Sequence, residues 1–559
     1  MNELLNGLSN WLGRFFRRNP QLWQAILLIG WLKKWLNRKL IERCAGRGFP
    51  RPRPFSLRQP FTSWPALTDQ TYTGRQLAED PVIRDRPDTA DLMPLFRREG
   101  NEIPSQDTSV LFAYFAQWFT DSFIRTRPET SPEAWRRNSS NHEIDLCQIY
   151  GLTEEATTKL RSGKGGRLKS ETGADGEEYP PRLFAQGVTH EKLVFSDPEF
   201  AELHSPERLA ATIARVPDAG LPTLFATGLE QGNATPGNIV LNIVFLRAHN
   251  HVADRLASAY PDWKDEQIFQ TARNVMVALL LKIVLREYIA HIATLDFPFD
   301  LDPEVGERSG WKRANWIGIE FGILYRWHSL VPDFLRIGQS RIPMAETLSN
   351  PGLVTGLGLG ALIDAASRQR AGRIGLHNTP AIFTQPRPIW LDGELVQLSV
   401  QQKTVEMTRR AKIRPYNAYR KAFGMAPVRS FEALTGEAQT ASELAALYRS
   451  VEDLDWYVGL LAEAHEEGAM MGDLMCRMVA FDAFTHIFGN PLLAKGVFNE
   501  TTFSKTGWDI IHSTDSFSQI VAWTVRNPER VAVSFKALDG TAQAESGTLS
   551  TAVAQAHPA

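Results

Sequence analysis

A tyrosine and a histidine three residues apart, Tyr325 and His328, stand in the apolar run Glu320-Phe-Gly-Ile-Leu-Tyr-Arg-Trp-His-Ser-Leu-Val-Pro-Asp333. The spacing predicts one helix over 311–329, ended by Pro332, with both side chains on the same face. Three residues rise about 4.5 Å along a helix axis, so a metal cofactor held by His328 has the Tyr325 phenol close beside it. A histidine on an apolar helix is more often a satisfied core residue, and the pair takes its meaning from the rest of the chain.

The elements that must position this pair are helical. Patterns of helical period run over 109–126, 238–260 and 265–293 as well as 311–329, whereas two-residue alternation is scarce, so the fold class is mainly α. With 559 residues, 43% apolar and 22% charged, the chain can bury several ordinary cores. Its 61 Lys+Arg against 63 Asp+Glu exclude a surface generally built for nucleic acid. Cys44, Cys147 and Cys476 are far apart and form no CxxC pair, which excludes a disulfide-dependent module. Gly356, Gly358 and Ala361 fit the dinucleotide pattern G-x-G-x-x-A, but no parallel βαβ unit surrounds them; they read as close helix packing or a bend.

Residues 1–50 differ from the remainder. Nine basic residues face two acidic ones there, and Trp11, Phe15, Phe16, Trp23, Trp31 and Trp35 alternate with them on two short helices divided by Pro20. The apolar run from Leu22 to Leu32 falls short of the roughly 20 residues a spanning helix needs, and no small-residue cleavage site follows it. Large apolar side chains mixed with arginine and lysine suit helices lying in one leaflet, so 1–50 is expected to bind a membrane surface monotopically, on its cytoplasmic face. Packing on the chain's own domain or an oligomer contact, such as a homodimer, is the alternative. Residues 51–107 read as a proline-rich linker and the start of the catalytic domain, 108–537 as that domain, and 538–559 as a disordered tail.

Phe112–Phe123 (FAYFAQWFTDSF), Ile144–Gly151 (IDLCQIYG), Tyr179-Pro-Pro, Phe245–Asp254 (FLRAHNHVAD), Asp265–Ile292, Leu324–Asp333 (LYRWHSLVPD) and Asn417–Gly436 with its FEALTG follow one another along the chain. In that order they resemble the cyclooxygenase branch of the animal-type haem peroxidases, the prostaglandin-endoperoxide synthases and related fatty-acid dioxygenases. The resemblance runs from about Phe61 to Pro528. It implies a haem-peroxidase-like helical catalytic domain after short amphipathic membrane-binding helices, a haem b cofactor, and a hydrophobic channel for a fatty acid that reacts with O2. By motif, His328 corresponds to the axial haem-iron ligand and Tyr325 to the radical tyrosine, which takes a hydrogen from a polyunsaturated chain before oxygen adds. Phe321, Leu324 and Trp327 are expected around Tyr325, with Phe119 and Phe123 as channel or haem-pocket walls.

The departures from that pattern are specific. Where the family's distal motif has a histidine four residues after a glutamine, this chain has Gln117 and then Asp121. A carboxylate of ordinary pKa near ~4 is a poor proton acceptor at neutral pH, so the peroxidase step is expected to be weak unless burial raises that value. Along the carboxyl-terminal channel wall, which includes Cys476, Ala480, Phe484 and Ile487, Ala483 replaces an acylatable serine. Val479 and His486 replace glycines there, which reshapes or shortens the channel. Leu295 stands where the family has its substrate-clamping tyrosine, while Tyr288 is retained. Arg47, Arg51, Arg53 and Arg58 all remain candidates for the fatty-acid carboxylate. The leading expectation is a membrane-associated fatty-acid dioxygenase; the alternatives are a haem peroxidase of small co-substrates and a catalytically inactive haem-binding membrane protein.

Overall fold

The computed structural model describes residues 19–48, 51, 68–69, 71–82, 84–125, 137–293, 297–391 and 394–538. Phe15, Phe16 and Trp11, most of the proline-rich linker including Arg53 and Arg58, Leu295, and the tail after 538 lie outside the described residues. Helices dominate, and the sheets described are four separate two-stranded antiparallel pairs. The helices that build the site are α1 (Pro20–Leu27), α2 (Gly30–Ala45), α3 (Val110–Thr120), α4 (Pro236–Ala259), α5 (Asp265–Ile283), α6 (Ile289–Ile292), α7 (Ile319–Leu324), α8 (Val400–Arg410), α9 (Trp456–Ala462) and α10 (Asp473–Gly489).

Helix α3 starts where the Ser109 hydroxyl accepts the Phe112 N–H, and it is apolar almost all round because almost every face is buried. Helix α4 starts at a Thr235 cap followed by Pro236. A Cβ at Gly237 would fall 2.6 Å from the Tyr114 side chain, so only glycine lets α4 approach α3 this closely. Two polar bonds one turn apart then fix an antiparallel register: Trp118 donates to Asn242 at 2.8 Å, and Asn238 donates to Asp121 at 2.8 Å. The expected bend at the glycine cluster is present. Gly358, at φ +89°, separates the helices Pro351–Leu357 and Leu359–Arg368.

The long helix expected over 311–329 is not formed. Helix α7 covers only Ile319–Leu324, Tyr325 caps it, Trp327 adopts φ −86° and ψ 55°, and His328–Leu330 is a separate 3-10 turn. Side-chain demands break it. The Tyr325 and Trp327 rings stack at 4.5 Å, although residues two apart on a helix point to different faces. The Arg326 carbonyl, which a continuing helix would use, instead accepts the Tyr457 hydroxyl at 2.8 Å. Similarly, the pattern over 265–293 is interrupted by a π turn at Val284–Tyr288, an insertion that re-aims Tyr288.

Helix α2 buries Asn37, Ile41 and Ala45 against the body, and it presents Trp31 (74% exposed) and Trp35 (53%) to the outside; Leu28 before it is 87% exposed. Two of the basic residues expected to face lipid are used differently. Lys33 pairs with Asp300 at 2.7 Å and Arg38 with Asp302 at 2.7 Å, docking the helix onto the body. Among the described residues no helix is long and apolar enough to cross a membrane.

Candidate active site

Because the helix breaks, Tyr325 and His328 do not share a helical face; each points into its own environment. The phenol enters an aromatic cage, with Phe321 edge-on at 4.7 Å and Trp327 stacked at 4.5 Å. Phe123 stacks on Phe321 at 5.9 Å and meets Phe119 edge-on at 5.0 Å, and Phe119 lies 5.9 Å from the Tyr288 ring. Leu324 is fully buried beside them. The Tyr288 and Tyr325 hydroxyls interact without reaching full hydrogen-bond geometry, and neither has another partner. Burial drives the Tyr325 phenol well above its ordinary value; the Tyr288 hydroxyl opposes this, and the Asp482 charge adds a smaller raising. Tyr325 is therefore a protonated phenol at neutral pH, a donor of a hydrogen atom and not of a bare proton.

His328 turns the other way. Its ring stacks on Phe383 at 4.5 Å, and Nδ1 lies 2.6 Å from the Gln401 side-chain oxygen on α8. Burial lowers its pKa to about 4, which keeps the imidazole neutral and able to ligate a metal. With Nδ1 engaged by Gln401, Nε2 is the nitrogen left to meet an iron, so this donor set fits a haem held from one side by a histidine.

Asp121, the residue expected on the distal side, caps the carboxyl end of α3. Burial raises its carboxyl to about 6, opposed by the Asn238 hydrogen bond and the Arg125 charge. Gln117, one turn earlier, is exposed, and its side-chain oxygen accepts from the Thr235 hydroxyl at 3.3 Å. Ordinary carboxylate chemistry is thus not what Asp121 offers: a group titrating near 6 can carry a proton both ways at neutral pH.

Along α10, Val479, Ala483 and Ile487 are buried, and the Cys476 sulfur lies 4.0 Å from the Ile292 carbonyl, while Ala480 is partly buried. His486 falls against the cage, stacking on Phe321 at 5.9 Å and Phe123 at 6.4 Å, as a side chain intruding at the far end of a channel does. Phe484 points elsewhere. Its ring meets Phe299 at 5.1 Å, in a row that continues through Phe297 to Trp23 of α1, so it packs under the amino-terminal helices.

The candidate arginines separate cleanly. Arg51 is fully buried and spends its donors on Asp482, Gln76 (2.7 Å) and the Trp316 carbonyl (2.6 Å), which removes it as a carboxylate ligand. Arg47 is half-buried near Arg43 and Arg477. Burial lowers the pKa of Arg47, and the two neighbouring charges lower it further. Asp473 orients Arg477 through two 2.9 Å bonds, and Nη1 of Arg477 has no hydrogen-bond partner among the described residues. Sequence reasoning missed Arg477, Asn238, Gln401 and Tyr457. The Thr235-Pro-Gly-Asn238 helix start was a readable signal for Asn238, whereas nothing in the polar run of α8 singles out Gln401.

The sequence pattern of the animal haem peroxidases matches residues 80–535. Prostaglandin G/H synthase 1 of Mus musculus is 30% identical over 534 residues, covering 91% of this chain and 82% of its own. Prostaglandin G/H synthase 2 of Gallus gallus is 30% identical over 520 residues, covering 90% and 79%. In three dimensions the fold is that of the Oryza sativa fatty acid alpha-dioxygenase (TM-score 0.65, 17% identity, 90% of this chain and 92% of that one). It is equally that of peroxidase A from Dictyostelium discoideum (0.65, 21%, 84% and 96%). With the matched pattern spanning most of the chain, and with a neutral, buried histidine offering one ring nitrogen to an iron, this protein belongs to the animal haem peroxidase family.

Proposed function

We propose that this protein is a haem-dependent fatty-acid dioxygenase in which Tyr325 abstracts hydrogen from a polyunsaturated acyl chain and O2 adds to the resulting carbon radical. The observation that carries the reading is the caged, protonated Tyr325 phenol, set beside Tyr288 and turned away from the metal-ligating histidine three residues on. Haem, when bound, supplies the oxidising equivalent that removes the phenolic hydrogen. The chain's own residues do the remainder. His328 holds the iron, the rings of Phe321, Trp327, Phe119 and Phe123 exclude water from the radical, and His486 and Val479 limit how far the acyl chain reaches. Arg47 and Arg477 are the cations for the substrate carboxylate, and the exposed tryptophans of α2 support a mouth that meets a membrane surface. The likeness to prostaglandin G/H synthases supports the substrate class.

Tyr325→Phe tests it, since the ring stays and only the oxidisable O–H goes. Haem content should be unchanged while oxygen uptake with the best of a C16–C20 fatty-acid panel falls to background; undiminished uptake refutes the reading. The exposed Gln117 beside the partly buried Asp121 favours access of small co-substrates to this side. Peroxide-dependent oxidation of a phenol should therefore survive in Tyr325→Phe, at a rate set by Asp121.

A further inference from the structure

A closed loop of hydrogen bonds decides which nitrogen of His328 carries its proton. The Arg326 carbonyl only accepts, so the Tyr457 hydroxyl on α9, 2.8 Å away, donates to it. With its proton committed, the Tyr457 oxygen is an acceptor, and the Gln401 amide 3.1 Å away must present its NH2 group. That turns the amide oxygen toward His328, 2.6 Å from Nδ1. An amide oxygen cannot donate, so Nδ1 bears the proton and Nε2 the lone pair. Gln401 and Tyr457 are both fully buried. The loop begins at the backbone two residues before His328 and ends on its ring, so it also fixes where that ring points.

We propose that Gln401 is a positioning residue for the haem ligand: it holds His328 as a neutral imidazole, and Tyr457 locks the amide in the orientation that does so. The inference rests on the reading that His328 holds the haem iron. An uncharged oxygen on Nδ1–H gives a moderately basic ligand. A carboxylate in the same place pulls on that proton, makes the ring more anionic and stabilises the ferric over the ferrous state. Gln401 therefore keeps the ferric iron easier to reduce than a carboxylate in its place would.

The test is a redox titration of the purified holoenzyme. Gln401→Glu should shift the ferric–ferrous equilibrium at least tenfold toward ferric, about 59 mV for a one-electron couple, and raise the iron–histidine stretching frequency of the ferrous form. Tyr457→Phe keeps the ring but frees the amide to turn away, so its potential should move in the opposite direction. An unshifted potential in a Gln401→Glu protein with full haem content overturns the proposal. If that variant takes up no haem, Tyr457→Phe decides, and an unchanged potential there overturns it equally. His328→Ala separates the two layers: loss of the Soret band supports the underlying ligand assignment, and retention of it sinks that assignment regardless of Gln401.

Discussion

Removing the amide that faces Asp121 should move the pH dependence of peroxide cleavage. To accept the peroxide proton, Asp121 must be ionised, so activity falls on the acid side with a midpoint near its pKa of about 6. The Asn238 amide at 2.8 Å favours the ionised form. A hydrogen bond to a charged group contributes about 1.5–3 kcal/mol, and the solvent path to Asp121 places this one at the low end. One pKa unit corresponds to about 1.4 kcal/mol, so Asn238→Leu, close in shape, should move the midpoint up to about 7. At pH 6 the ionised fraction then drops from about a half to about a tenth, a fivefold loss of peroxide cleavage, while at pH 8 the loss is under about 20%. Stopped-flow peroxide reduction across pH 5–8, at matched haem content, reads the shift directly. Asp121→Asn should remove the acid limb altogether. It should also gain thermal stability at pH 8 but not at pH 4, because a carboxyl whose folded pKa is raised stabilises the fold only while protonated and loses that contribution as pH rises through about 6. An acid limb with the same midpoint in the parent and in Asn238→Leu refutes Asp121 as the titrating group.

Asp482→Ala strips the carboxylate paired with the fully buried Arg51; it should cost about 3–5 kcal/mol in denaturant unfolding, and a loss under about 1 kcal/mol would show the pair to be dispensable. Replacing Trp31 and Trp35 together by serine should release the protein from anionic liposomes in a flotation assay without changing haem content, since both rings lie outside the packed body. Arg477→Gln should raise KM for a free fatty acid with little change in kcat and leave the methyl ester unaffected, because the ester offers no carboxylate to the Arg47–Arg477 pair.

What could be read in the sequence was chemistry carried by local motifs; what escaped was geometry set by partners far along the chain. The YRWH motif singled out both candidate side chains, but helical periodicity mis-stated their relation. The break after Leu324 is imposed by Tyr457, more than 130 residues away, which takes the Arg326 carbonyl. The same holds for Asp121: its type warned of a weak proton carrier, yet burial in the folded chain raises it to about 6, against the Asn238 amide of α4, whose close approach hangs on Gly237. Gln401 lies in VQQKTVEMTRR, where its neighbour Gln402 has the same composition and only the fold tells them apart. Helix starts, by contrast, were legible because a cap and the residue after it are adjacent in sequence.

Arg51 shows how far function depends on such long-range placement. Counted by residue type it was as good a carboxylate ligand as Arg47, and it follows the amino-terminal helices just as closely. The structure instead sends its guanidinium inward to Asp482 on α10, beneath Gly318, where a Cβ would fall 2.7 Å from Nη1. Asp482 is the charge that helps keep the Tyr325 phenol protonated, and its own carboxyl, raised to about 6 by burial, is pulled back down by Arg51. The buried pair thus fastens the exit of the α2 segment to the helix behind the Tyr325 cage. A carboxylate captured by Arg51 would break that pair, which favours the proposed role of the outer arginines, Arg47 and Arg477, where α2 and α10 meet beneath the exposed tryptophans.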